Sequence, residues 1–115
     1  MTLLQILKLV AALATIATGL ISFLRPRAVF NFTGLNAPGP RGLTEIRAVL
    51  GGCFIGLGAA PLLLGGANSA YQMLGITYLA IAVTRIYGLI ADKSLVSSNV
   101  ISLITEVVLG GLLIL

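Results

Sequence analysis

Charge is scarce in this chain. Of 115 residues, 9% are charged, seven basic and three acidic. A soluble domain carries about 25%, and a chain with so few has too little polar surface to face water. There is no histidine, which removes the commonest ligand for haem, zinc or copper and the usual proton shuttle near neutral pH. The one cysteine, Cys53, can form neither an intrachain disulfide nor a paired-cysteine site. Inside an apolar run it reads as a small buried apolar residue. Paired carboxylates at one depth, a nucleophile beside a base, a glycine-rich phosphate loop and a metal cluster are also missing from the pattern. The sequence therefore argues against an enzyme and implies no cofactor and no metal. Net charge is +4, but no basic face or reading motif accompanies it, so nucleic acid is not an expected partner.

Apolar residues are plentiful: 58% of the chain, with a mean hydropathy of +1.13. The natural solvent for such a chain is lipid. A helix crossing the hydrocarbon core needs about 20 mostly apolar residues, and residues 3–24, 45–64, 70–90 and 95–115 qualify. Backbone polar groups in lipid must be paired internally, so helices are the expected form. The expectation is one domain over residues 1–115, an all-α integral membrane four-helix bundle. The first run is too long for the apolar region of a signal peptide, about 7–15 residues, and is read as a retained span.

Breakers fall between the runs. Arg25-Pro26-Arg27 should stop the first helix, because a proline disfavours helical geometry at the residue before it. Asn36 to Gly42 is turn chemistry. Between them Val29, Phe30, Phe32 and Leu35 make a segment greasy enough to lie along the membrane interface. Pro61 should cause a mild kink or a stop near the end of the second span. Arg25, Arg27 and Arg41 share the first loop, and Lys93 lies in the third. By the excess of Lys and Arg in cytoplasmic loops, those loops face the cytoplasm and both termini face outside. Lys8 is the opposing signal.

The stretch Thr44 to Gly52, TEIRAVLGG, holds the most information. Thr44 is placed to cap the second span, and Glu45 in its first turn suits the positive end of the helix dipole. Arg47 does not suit that dipole. Two reasons for it stand: snorkelling to headgroups, or an anion inside the bundle. Ala48, Gly52, Gly56 and Ala60 recur every four residues, a helix-packing face of small side chains. In lipid such faces are the main means of close helix packing. The face can serve the bundle itself, the first expectation, or another protein or copy. A short echo, RAVLGG at Arg47–Gly52 and EVVLGG at Glu106–Gly111, leaves open a relation between two helical hairpins.

Arg85 should lie about five residues inside the third span, roughly 8 Å deep, and Glu106 about ten residues into the fourth, roughly 15 Å deep. A bare charge near the bilayer centre costs at least about 2.5–3.5 kcal/mol. Glu106 is thus expected to face the interior, paired with Arg85. Glu45 and Arg47 would form a second layer nearer the cytoplasm, and Lys8 is the alternative partner. The buried charged cluster Glu45, Arg47, Arg85 and Glu106 reads either as polar glue that fixes helix register or as a site for a proton, a small anion or a lipid headgroup.

The chain resembles a family of short bacterial membrane proteins catalogued as a domain of unknown function, related to the DoxX-like four-helix group. The resemblance runs nearly the full length. It rests on TEIRAVLGG opening the second span, on Arg85 with Asp92 closing the third, and on Glu106 in the fourth. Leu50 stands where family members often have an aromatic, and Asp92-Lys93 where they often have Asp-Gly. The resemblance implies the fold and the importance of these charged residues, and no activity. From size and composition, the expected role is a small non-catalytic accessory or assembly subunit of a larger membrane complex, respiratory or photosynthetic. Its partners would be the lipid bilayer and other integral membrane subunits. The alternative is a small transporter or a lipid- or anion-binding protein using the buried Arg/Glu cluster.

Overall fold

The computed structural model describes residues 1–115 and contains helices and connecting turns without strands. Helix α1 covers Leu3–Leu24. Its first turn is closed by a capping box: Gln5 N–H donates to the Thr2 hydroxyl and the Thr2 N–H to the Gln5 side chain. It ends at Arg25, where the proline ring that follows excludes helical backbone. A 3-10 turn, Pro26–Ala28, leads into the one-and-a-half-turn helix α2, Val29–Thr33. The second long helix, α3, runs Pro40–Leu63. Helix α4 covers Asn68–Ala91 and α5 Ser97–Ile114. The four long helices, α1, α3, α4 and α5, are each long and apolar enough to cross a membrane. At about 1.5 Å per residue, the 24 residues of α3 or α4 exceed the hydrocarbon thickness of about 30 Å.

The start of α3 corrects the sequence reading. The helix begins at Pro40, with Gly39 as its extended N-cap, five residues before the expected boundary. Proline at the first helical position carries no N–H that would go unpaired there. Thr44 is therefore no cap. It lies within the helix, and its hydroxyl donates back to the Pro40 carbonyl at 3.2 Å. Glu45 accordingly sits outside the first turn. From Ile46 to Gly52 the backbone of α3 widens into a π-helical segment before returning to α-helix at Cys53. Pro61 lies inside the last turn, and the helix stops two residues later. The stop is a Schellman closure: Gly66 N–H donates to the Pro61 carbonyl at 2.7 Å, with Gly65 and Gly66 both left-handed.

The helices pair as two hairpins. Helix α1 packs along α3, and α4 along α5; the hairpins meet each other more sparingly. The contact between hairpins holds the small core, where Ala11 and Ala12 of α1 meet Tyr71, Leu74 and Tyr78 of α4 and Leu113 of α5. Thr15 and Tyr78 hydroxyls bond there at 2.6 Å, with Thr15 also donating to the Ala11 carbonyl. Only 20 of 115 residues are buried, so most of the large apolar side chains face outward, as lipid allows and water would not.

Within each hairpin the close approach is made by glycine, and in the same way. A Cβ on Gly19 would lie 2.7 Å from the Gly51 carbonyl oxygen and 2.8 Å from the Ile55 side chain. One on Gly75 would lie 2.9 Å from both the Gly110 carbonyl oxygen and the Ile114 side chain. Gly51 lies against Phe23, four residues after Gly19; Gly110 lies against Leu79, four residues after Gly75. The RAVLGG and EVVLGG echo thus has a structural counterpart, with Gly51 and Gly110 in equivalent places. Both hairpins follow one packing plan.

The glycine row anticipated from the sequence does not join the helices of this bundle. Nothing lies within 4 Å of a Cβ built on Gly52 or Gly56, and Ala48 is exposed. The intramolecular contact uses Gly51 and Gly58 instead; a Cβ on Gly58 would lie 2.7 Å from the Ala12 carbonyl oxygen. Ala48, Gly52, Gly56 and the half-buried Ala60 form an outward row along α3.

Candidate functional site: a closed ion pair and an open helix face

The second hairpin encloses a buried carboxylate. Glu106, on the inner face of α5, is 7% exposed. Arg85 reaches it from α4. Its Nε donates to the two carboxylate oxygens at 2.7 and 3.0 Å, and its Nη2 donates to Oε2 at 2.6 Å. This two-pronged geometry matches the planar guanidinium to the planar carboxylate and gives the strongest form of such a pair. The remaining arm is also engaged: Nη1 donates to Asn99 Oδ1 at 2.7 Å. The Asn99 amide in turn donates to the carbonyl and hydroxyl of Ser94 at 3.0 and 3.1 Å. One chain of bonds therefore links mid-α5, α4, the α4–α5 turn and the first turn of α5. Every buried side-chain nitrogen and oxygen in the protein has a partner.

The other two residues of the expected cluster lie elsewhere. Glu45 pairs with Arg41, one turn earlier on α3, and both are exposed. Arg47 turns to the first hairpin and donates to the Phe23 carbonyl at 2.6 Å. That carbonyl belongs to the last turn of α1, where intrahelical donors have run out and the helix dipole is negative. Helix α1 has no basic residue of its own in that turn; Arg47 supplies the positive charge from a neighbouring helix. The expected second layer of Glu45 with Arg47 is thus not formed. The reason is local: Glu45 has a cation one helical turn away, and Arg47 has an unfilled backbone acceptor beside it. Lys8 does not reach Glu106 either. It is buried at the opposite end of α1 and donates to Asn68 Oδ1 at 3.0 Å, joining the hairpins at the start of α4.

Cys53 corrects another expectation. It is exposed, because the π-helical segment and the inward choice of Gly51 turn it toward the lipid side. Asn99, Ser94, Asn68 and Tyr78 were missed from the sequence. Only Asn99 left a signal there: it precedes Glu106 by seven residues, two helical turns on one face.

Two hollows lie near these features. A gap of about 10 Å³ between the hairpins is lined by Thr15, Phe54, Leu57, Leu74, Thr77 and Tyr78, among others. An open groove of about 260 Å³ is lined by Leu35, Glu45, Ile46, Val49 and Leu50. Neither has Arg85 or Glu106 in its lining.

Four spanning-length helices, lipid-compatible surfaces and a satisfied interior ion pair define a small all-α multi-pass membrane protein. More particularly, the chain belongs to the family described as a domain of unknown function, DUF4345, which it matches over residues 3–115. No curated protein and no solved structure matches the chain.

Proposed function

We propose that this protein is a non-catalytic accessory or assembly subunit that docks onto a larger membrane complex, with respiratory and photosynthetic assemblies the first to examine. The observation that carries the reading is the row Ala48, Gly52 and Gly56, which faces outward with nothing of this chain against it. Small residues repeated along a helix let another helix approach closely, and in lipid close packing is the main attraction available. The closed ion pair supports the same reading. Both oxygens of Glu106 are held, and all three arms of the Arg85 guanidinium are used. A site that moves a proton or captures an anion needs a free donor or acceptor and room beside it. The pair is better suited to locking α4 against α5, which leaves the alternative of a transporter or an anion site at this cluster with no supporting geometry. In this reading the membrane is a bacterial inner or intracytoplasmic one, with both termini outside, as the arginines of the first loop favour.

Purification in mild detergent tests the reading. Co-migration of the chain with a defined large complex, lost when Gly56 is replaced by leucine, is the expected result. A stable free homo-oligomer that survives Gly56→Leu would overturn it.

A further inference from the structure

We propose that the Arg-rich end of the first hairpin is a binding site for an anionic phospholipid, with the acyl chain in the groove on α3 and the headgroup phosphate on the exposed arginines at the same end. This inference does not rest on the accessory role, since it uses the groove and the arginines rather than the small-residue row.

The groove has apolar walls from Leu35, Ile46, Val49 and Leu50, and one charged wall residue, Glu45. Its volume of about 260 Å³ is below the range of about 300–1,000 Å³ usual for whole small-molecule ligands, and it is open along its length. It suits a segment of flexible hydrocarbon. The chain builds it deliberately: left-handed Gly34 ends α2 and turns Leu35 back toward α3, while the 3-10 turn and α2 bury Pro26 and Val29 but leave Phe30 and Phe32 exposed. Exposed apolar rings on a short helix between two spans fit a segment lying in the membrane interface.

Charge surrounds this end asymmetrically. Arg25 closes α1, Arg27 lies two residues on, Arg47 touches α1 at Phe23, and Arg41 is one turn before Glu45. Four guanidinium groups face one carboxylate. Glu45 is taken by Arg41, and Arg47 is fixed on the Phe23 carbonyl. Arg25 and Arg27 are exposed, and neither side chain has a hydrogen bond or ion pair within the chain. Gly51 lies on Phe23 and Arg47 on its carbonyl, so the part of α3 that lines the groove sits level with the end of α1, where Arg25 and Arg27 follow. An apolar slot at the same end of the hairpin as uncommitted guanidinium groups complements a phosphate with a hydrocarbon tail. A water-soluble anion would use the arginines and leave the slot empty.

The test uses the full chain in detergent, titrated with dioleoylphosphatidylglycerol, with dioleoylphosphatidylcholine or with inorganic phosphate, and read by native mass spectrometry and thermal unfolding. Taking as the scale the about fivefold preference per arginine at an anionic bilayer surface at physiological ionic strength, two give roughly thirtyfold retention of phosphatidylglycerol over phosphatidylcholine. R25Q/R27Q should abolish that preference without loss of fold, because both side chains are exposed. Val49→Trp, at an exposed position, should fill the slot and reduce retention of both lipids. Equal retention of the two lipids by the native chain, an unchanged preference in R25Q/R27Q, or unchanged retention in Val49→Trp would each overturn the proposal. Stabilisation by inorganic phosphate equal to that by phosphatidylglycerol would also overturn it, in favour of a simple anion site.

Discussion

Replacing Glu106 by alanine should be among the most damaging single changes in the protein, and the damage should come from Arg85. Glu106 is 7% exposed and accepts three bonds from one guanidinium. Removing one partner of a buried pair leaves the other charge uncompensated, at a cost of about 3–5 kcal/mol. Arg85 keeps 29% of its side-chain exposure and its bond to Asn99, so part of its solvation is recoverable and the lower end, about 3 kcal/mol, is expected. Arg85→Met should cost a similar amount, because it strands the more deeply buried carboxylate. The cycle is closed with Glu106→Leu as the second single variant, which strands Arg85 as alanine does, and the double variant R85M/E106L removes both charges and replaces them with side chains of comparable bulk. It should be no less stable than either single variant, giving an interaction energy of about 3 kcal/mol in a double-mutant cycle. The assay is reversible unfolding in a fixed detergent, followed by helical circular dichroism. Simple additivity of the two single effects would refute the argument, since it would mean that neither residue relies on the other. Arg85→Lys is a useful companion: it keeps the charge but loses the planar two-pronged contact, and it should fall between the native chain and Arg85→Met.

The glycines should divide into two classes. Gly19→Ala and Gly58→Ala place a methyl group 2.7 Å from backbone oxygens of the facing helix and should cost about 1–3 kcal/mol, whereas Gly56→Ala meets nothing and should stabilise by up to about 1 kcal/mol through helix propensity; both are read from thermal unfolding in detergent. Arg47→Gln should weaken the α1–α3 hairpin by about 1 kcal/mol, an effect that shrinks with added salt because the side chain is exposed. A periplasm-active reporter fused after Leu115 should be active, and activity only of a cytoplasmic reporter would reverse the proposed orientation.

Much of the fold is legible in the sequence because lipid imposes one dominant rule. Long apolar runs must be helices, and the turn residues between them mark where they end. The start of α3 escaped because its first turn, Pro40-Arg41-Gly42, is polar and resembles the loop before it; only the fit of proline to the first helical position hints otherwise. The π-helical segment has no compositional mark at all. The Arg85–Glu106 contact could be argued in advance from the cost of a lone carboxylate at depth, a constraint that leaves few solutions. The destinations of Glu45 and Arg47 could not, because Arg47 binds a backbone carbonyl, which every residue offers. The glycine face illustrates the same limit. Two small-residue rows run along α3, one through Gly51 and Gly58 and one through Gly52 and Gly56. Periodicity detects both. Which row turns inward depends on Gly19 and Phe23 across the interface, and that is information held by the other helix.

The central claim, that α3 presents an open docking face to another membrane protein, is tested most directly by disulfide trapping at the native Cys53. This thiol is exposed, and it is the only cysteine in the chain. It adjoins Gly52 in sequence. Single cysteines introduced into the subunits of the co-purifying complex, followed by mild oxidation in native membranes, should trap one defined hetero-adduct through Cys53. Gly52→Leu and Gly56→Leu should each abolish that adduct without lowering the helical content or the unfolding temperature of the purified chain. Trapping only between two copies of this chain, or an adduct that persists in both leucine variants, would contradict the account.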